Sequence, residues 1–313
     1  MSTLLHSNLD GTAAPQLYAT PRRGVALKDC WFYHTLDLPG HGTVAGLWDL
    51  RDGMDDYVGR LDYHGKRVLE FGTASGAVTF ALERRGAEVV SFDLAPGMAS
   101  DLIPLASVLD LAVRSNRQQT QLERLRNSFW LAHELLQSRA RMVYGSIYQV
   151  PAAVGPVDVC MYGAILLHLR DPVLALANGA RLAREAIVVT DRMPGPWTPF
   201  LAPAGASLWQ RARRKAAYVW LRILRRLTPM VDHSPQMVLL ADPANSKNLD
   251  TWWALSPALV KQILAVLGFQ RATSYVHRQL CQGRRTTMFT VVAQQTRPMP
   301  DTCKDGFLGR WRV

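Results

Sequence analysis

Short apolar runs recur through the middle of the chain, and the intervals between them are filled with helix-patterned residues. RVLEF (67–71), EVVSFDL (88–94), RMVYGSI (141–147), VDVCMYGA (157–164) and EAIVVTD (185–191) are β-branched or apolar over most of their length. A strand covered on both faces reads as a continuous apolar run rather than an alternating one. The alternation therefore predicts an α/β fold: a Rossmann-like, mostly parallel sheet of seven strands with helices on both faces. The last two strands are FQRATSYVHRQ and TTMFTVVAQQ, joined by LCQGRR with Gly283, which pair as an antiparallel hairpin closing one edge.

Two stretches exceed what such a sheet needs. NRQQTQLERLRNSFWLAHELLQS (116–138) sets Leu122, Leu125, Phe129, Ala132 and Leu136 at three- and four-residue spacing, on one face of a helix. Residues 194–253 form an insertion placed to cover a site. The organisation expected is a loosely held arm (1–28), an aromatic-rich preface (29–62), the core (63–193), the cap insertion (194–253), the last helix with the closing hairpin (254–295) and a tail (296–313). Inside the cap, SLWQRARRKAAYVWLRILRRL (207–227) carries seven basic residues and no acidic one, with its apolar residues on one broad helical face. It reads as a cover helix with a solvated basic back; a membrane-surface helix, an RNA contact and a clamp on an anionic acceptor are the alternatives.

The first strand runs into VLEFGTASG (68–76), a Gly-x-x-x-Gly turn feeding a helix, which brings backbone N–H groups close to a ligand at the sheet's carboxyl edge. A dinucleotide is the first candidate. Its fingerprint needs glycine two residues after the first so that backbone can touch a pyrophosphate, and here that place holds Ala74. Glu70, just ahead of the turn, repels phosphates and suits an ammonium group. Asp93 ends the second strand, where a carboxylate accepts the two hydroxyls of a ribose. A nucleoside joined to an amino acid, S-adenosylmethionine, meets both demands.

In that order these motifs resemble those of class I S-adenosylmethionine-dependent methyltransferases: Glu70-x-Gly72-x-x-x-Gly76 as the first, Asp93 as the second, YGSIYQVP (144–151) after the third strand and PVDVCMYGAILLHLRDP (156–172) as the fourth. The resemblance implies a cofactor set of Gly72, Thr73, Ala74, Gly76, Asp93 and Leu94, with Ser146 and Ile147 bordering the adenine and Tyr162 and Gly163 near the sulfonium. WFYHTLDL, GLWDLR, GKRVLEFGT, LLHLRDP and NLDTWWALSPALVKQILAVLGF are similar to a narrower group, which includes the tRNA wobble-uridine carboxymethyltransferase and small-molecule biosynthetic methyltransferases. By that likeness Arg51 pairs with the cofactor's carboxylate.

The expected acceptor is a small molecule, held by Trp31 of the preface, Trp130 and His133 of the long helix, and Asn248, Trp252 and Trp253 of the cap. His34, His168 and Asp191 are the candidate catalytic residues: His34 as an imidazole that titrates near neutrality and takes the acceptor's proton, His168 facing the methyl group, and Asp191 as a base or polar substrate contact. No metal is required, since a sulfonium activates its own methyl group.

Bulk properties narrow this only slightly. The 313 residues are 48% hydrophobic, enough for one large elaborated domain. A net charge of +11 suits an anionic partner, so RNA stays as an alternative to the small molecule, without a recognisable RNA-binding module to favour it. The four cysteines are far apart and read as free thiols. With no run of eighteen apolar residues and no secretory pattern at the N-terminus, the expected compartment is the cytoplasm.

Overall fold

The structure, a computed structural model, describes residues 16–105, 111–194, 207–209, 212, 213, 216, 234–242 and 249–298. Most of the basic segment 207–227 lies outside these residues, as do Asn248, the first half of the arm and nearly all of the tail.

The preface contains the antiparallel pair β1 (Leu36–Leu38) and β2 (Gly42–Val44), then the two-residue strand β3 (Trp48–Asp49) and the short helix α1 (Met54–Tyr57). The core follows as β4 (Arg67–Phe71), α2 (Ala77–Arg84), β5 (Glu88–Leu94), α3 (Leu111–Leu135), β6 (Arg141–Gly145), β7 (Val157–Gly163), α4 (Pro172–Ala180) and β8 (Ala183–Arg192). A ribbon of β9 (Met237–Leu239) and β10 (Trp253–Leu255) leads to α5 (Pro257–Val266) and the hairpin of β11 (Arg271–Cys281) and β12 (Arg284–Gln294). The caps are written locally. The Asp171 side chain accepts the Leu174 N–H at 2.9 Å ahead of Pro172, and Ser256 Oγ accepts the Leu259 N–H at 3.2 Å ahead of Pro257.

The main sheet runs β3-β11-β12-β8-β7-β4-β5-β6, with β4 to β8 parallel and β11 and β12 antiparallel. It has eight strands where the sequence predicts seven. The extra one is β3, donated by the preface, whose Trp48 and Asp49 pair with Cys281 and Leu280. A strand of two residues is too short to leave a periodic signal. The hairpin loop is also tighter than LCQGRR suggests: only Gln282 and Gly283 separate the strands, with φ of 49° and 74°. Such left-handed pairs match the twist of a two-residue hairpin.

Each face of the sheet has its own apolar core. Val68, Phe80, Phe129, Trp130, Met142, Met161 and Val188 fill one, under α2 and α3; Leu69, Phe71, Phe92, Tyr162, Leu176, Val189, Leu264 and Phe269 fill the other, under α4 and α5. Neighbouring residues of one strand thus go to opposite faces, and side chains of this size contribute about 1.5–3 kcal/mol each on full burial. Strand order reverses at β4, with β5 and β6 on one side of it and β7 and β8 on the other. In an open parallel sheet that reversal opens a crevice at the carboxyl ends of the strands.

Candidate functional site

The crevice is entered from β4. After Phe71 the chain turns through Gly72 (φ 75°), Ala74 (φ 49°) and Gly76 (φ 86°), and Gly76 starts α2. At Gly76 the left-handed backbone coincides with a close approach, since a Cβ would stand 2.5 Å from the ring of Phe80. Only glycine suits both conditions.

Glu70 and Asp93 sit on either side of this turn, at the ends of neighbouring strands that pair in parallel register. Glu70 is 3% exposed and its carboxylate accepts the Thr79 hydroxyl, which is itself 2.9 Å from Ser91 Oγ. Burial pushes the Glu70 carboxyl up to about 8, against the pull of that hydroxyl. Without a cationic partner it keeps its proton at neutral pH; a bound ammonium would favour the ionised form.

Asp93 braces the turn itself. Its Oδ2 accepts the Ala74 N–H at 3.1 Å and the Thr73 hydroxyl at 3.2 Å, and its Oδ1 accepts the Leu94 N–H at 2.7 Å. Burial raises its pKa while these backbone donors and the charge of Arg126 oppose the rise. Arg126 of α3 donates to the carbonyls of Leu94 (3.2 Å) and Ala95 (3.3 Å), holding the same connection from the other side. A carboxylate has about four acceptor positions, so Asp93 can take ligand hydroxyls as well.

Beyond Asp93 opens a cavity of about 280 Å³. Its lining brings together Gly72, Asp93, Leu94, Ser146 and Ile147 of the expected cofactor residues, and adds His168 and Asp101. Asp101 carries no motif in the sequence. The Tyr148 hydroxyl donates to its side chain, as does the Arg170 N–H at 2.8 Å, and its carbonyl accepts Trp252 Nε1–H at 2.7 Å. Three segments distant in sequence are thereby tied along one rim.

The preface closes the turn from above. Ser75 Oγ accepts the His34 N–H at 2.8 Å and lies 3.4 Å from His34 Nδ1. Burial holds His34 down to about 4, well below the near-neutral titration expected from the sequence, so its imidazole is neutral at physiological pH and only a weak base. His168 Nδ1–H donates to the Asp250 carbonyl at 2.5 Å. Asp191 is 2% exposed and burial pushes it up to about 7; its Oδ1 accepts the Arg192 N–H at 2.7 Å, while Oδ2 has no hydrogen-bond partner among the described residues. Its neighbour Thr190 bonds the Tyr57 carbonyl on the α1 face, so alternation directs Asp191 to the opposite face, with Val189 and Phe289.

Several expected site residues are engaged elsewhere. Arg51 forks between Asp49 (2.9 and 2.7 Å) and Asp37 (2.8 Å), so its guanidinium is spent on the preface and not on the crevice. The Tyr162 side chain is on the α4 face, donating to the Ala175 carbonyl at 2.8 Å; only its backbone stands at the strand end with Gly163. Trp130 and His133 are core residues instead of acceptor walls: Trp130 Nε1–H donates to the Tyr144 hydroxyl at 3.0 Å, and His133 Nε2–H to the Ala140 carbonyl at 3.0 Å. On a helix they follow the apolar stripe of Phe129, which turns them inward. Trp31 packs edge-on to Tyr33 with ring centroids 5.9 Å apart. Trp253 Nε1–H donates to the Leu169 carbonyl at 3.0 Å, so it and Trp252 strap the 249–255 segment to the cavity rim.

The sheet defines a Rossmann-like α/β protein with a crevice at the strand-order reversal, and the proteins it resembles include methyltransferases. The chain is 27% identical over 180 residues to a ubiquinone biosynthesis O-methyltransferase of Xylella fastidiosa (strain 9a5c), covering 55% of this chain and 70% of that protein. Among solved structures it is similar to the N-terminal domain of EvdMO1 in the presence of SAH and D-fucose, at 18% identity and a TM-score of 0.46, over 85% of this chain and 91% of the other. It is also similar to the 1,6-didemethyltoxoflavin-N1-methyltransferase of Burkholderia thailandensis, at 12% identity and a TM-score of 0.39, over 75% and 72% of the two chains. No family's sequence profile matches the chain. Among the described residues no helix is long and apolar enough to cross a membrane.

Proposed function

We propose that this chain is an S-adenosylmethionine-dependent methyltransferase that acts on a small molecule in a biosynthetic reaction. The observation that carries the reading is a pair of carboxyl groups at neighbouring strand ends on either side of a glycine turn, Glu70 buried and Asp93 half-buried. The residues present fit the cofactor: a carboxyl lacking a cationic partner among the described residues for its ammonium, a second carboxylate for its ribose, and a cavity beside Ser146 and Ile147 for its base. The relative from Xylella fastidiosa supports an oxygen acceptor, by its name as an O-methyltransferase.

When bound, S-adenosylmethionine supplies a methyl group already activated by a positive sulfur. The chain's own work is to hold, orient and exclude water. Glu70 binds the amino-acid end and the turn from Gly72 to Gly76 supports it. Asp93 orients the ribose, and Arg126 holds the connection on which Asp93 stands. His34, neutral and fixed to Ser75, is the residue we assign to accept a hydrogen bond from an acceptor hydroxyl and orient it toward the methyl group. His168 is left as a polar contact at the cavity rim, and Asp191 is set aside as a buried group on the other face.

Calorimetry with S-adenosylmethionine and S-adenosylhomocysteine, then labelled methyl transfer to a metabolite extract and to total RNA, tests the reading. We expect binding of both nucleosides and label in the small-molecule fraction. No binding, or label confined to RNA, overturns it. His34→Gln should lower turnover with little change in nucleoside affinity.

A further inference from the structure

Tyr57 ends α1 in the preface, in the unremarkable stretch MDDYVG, and nothing in the sequence marks it. The fold carries it to the carboxyl end of the central strands. A Cβ built on Gly163 would stand 3.1 Å from both the hydroxyl oxygen and Cε1 of Tyr57, so the phenol lies directly over the end of β7. Gly163 and Glu70 lie on the same face of the sheet, since Met161 pairs with Glu70 and Gly163 is two residues further along β7. The charge of an ionised Glu70 reaches Tyr57 and helps to keep the phenol protonated.

The helix that bears Tyr57 is fastened with care. Thr190 Oγ1–H donates to the Tyr57 carbonyl at 2.6 Å, the hydroxyls of Thr290 and Tyr275 both donate to the Asp56 carbonyl at 2.9 Å, and Gln279 Nε2–H donates to the Gly53 carbonyl at 2.8 Å. The Tyr57 hydroxyl is hydrogen-bonded to no described residue, and its oxygen is not fully enclosed although the residue as a whole is 3% exposed. A phenol whose body is buried while its unpaired oxygen keeps access at a strand end is placed for a ligand. Burial holds its proton on, so it presents oxygen lone pairs and a ring without net charge. Such a group attracts a cation without forming an ion pair that would hold it.

We propose that Tyr57 touches the cationic methyl-bearing end of the cofactor, and that its hydroxyl makes the site prefer the charged methyl donor over the neutral product left after transfer. The inference rests on the cofactor reading above and deepens it: the phenol discriminates the two states of one ligand. Gly163 serves the same end by having no side chain between the phenol and the strand.

The test is the ratio of affinities for S-adenosylmethionine and S-adenosylhomocysteine, by calorimetry, in the parent and in Tyr57→Phe. The variant keeps the ring and loses only an oxygen that bonds to no described residue, so its thermal midpoint should stay close to the parent's. Affinity for the sulfonium should fall roughly 3- to 30-fold, the range between a weak contact and a charge-assisted hydrogen bond, while that for the product stays within about twofold. Equal losses for both ligands, or none, overturn the proposal while leaving the cofactor reading intact. Failure of the parent to bind either nucleoside overturns both. Should Tyr57→Phe unfold, Tyr57→Leu gives the same ratio with neither oxygen nor ring, and an unchanged ratio there is equally fatal.

Discussion

Ser75 Oγ accepts the backbone N–H of His34 at 2.8 Å, and this contact joins the preface to the glycine turn. His34 also bridges to β3, because its neighbour Thr35 donates its N–H to the Trp48 carbonyl at 2.7 Å. The hairpin and short strand of the preface are thus registered against the main sheet at one end and against the glycine turn at the other. Ser75→Ala strands a buried N–H and should cost about 1–3 kcal/mol of stability. Chemical denaturation measures that loss, and calorimetry should show weaker nucleoside binding with it; a variant as stable and as tight as the parent would show the joint to be idle.

Glu70 makes cofactor binding depend on pH. Its folded pKa, raised to about 8 by burial, means that the free protein holds the proton below that value, while the ligand's ammonium prefers the carboxylate. Binding then releases a proton, and affinity rises with pH by at most about tenfold per unit up to about pH 8, then falls as the ligand's own α-amino group loses its proton. Calorimetry in buffers of different ionisation enthalpy reads the proton directly. Glu70→Gln should remove the slope and weaken binding at every pH.

Gly76 and Gly97 separate two effects of a glycine. Both have left-handed backbone, with φ of 86° and 79°, but a Cβ at Gly76 meets the Phe80 ring at 2.5 Å whereas one at Gly97 meets nothing within 4 Å. Gly97→Ala should cost roughly 1–2 kcal/mol from backbone conformation alone. Gly76→Ala adds overpacking and should cost about 2–4 kcal/mol in all, with loss of nucleoside binding. Denaturant midpoints of the two variants decide the comparison.

Asp93→Asn keeps the shape and removes an acceptor. The amide turns a donor toward the Ala74 N–H or the Leu94 N–H, so one of the braces at 3.1 and 2.7 Å is lost whichever way it faces. The expected result is a weakening of S-adenosylhomocysteine binding by about tenfold or more, with a lower thermal midpoint. Unchanged binding would remove Asp93 from the site.

The sheet, the direction of its strands and the glycine turn were legible along the chain, because strand burial, helix caps and a left-handed turn are decided by neighbouring residues. RVLEF and EVVSFDL run over exactly the residues expected of them, and Glu70 and Asp93 emerge at strand ends because each strand's length is set by its own apolar run. Partners remote in sequence were decided by the tertiary structure. Arg51 lies in a motif-like stretch, yet two nearby aspartates take its guanidinium. Trp130 and His133 look like site aromatics in one dimension and turn into the core once α3 docks on the sheet. Asp101, unmarked in the sequence, reaches the crevice because the loop after β5 is tied to Tyr148 and Trp252, and Tyr57 reaches the end of β7 because α1 is hydrogen-bonded to β8, β11 and β12. Local chemistry selects the elements; contacts between segments dozens of residues apart, which no short-range pattern encodes, select the side chains that meet in the site.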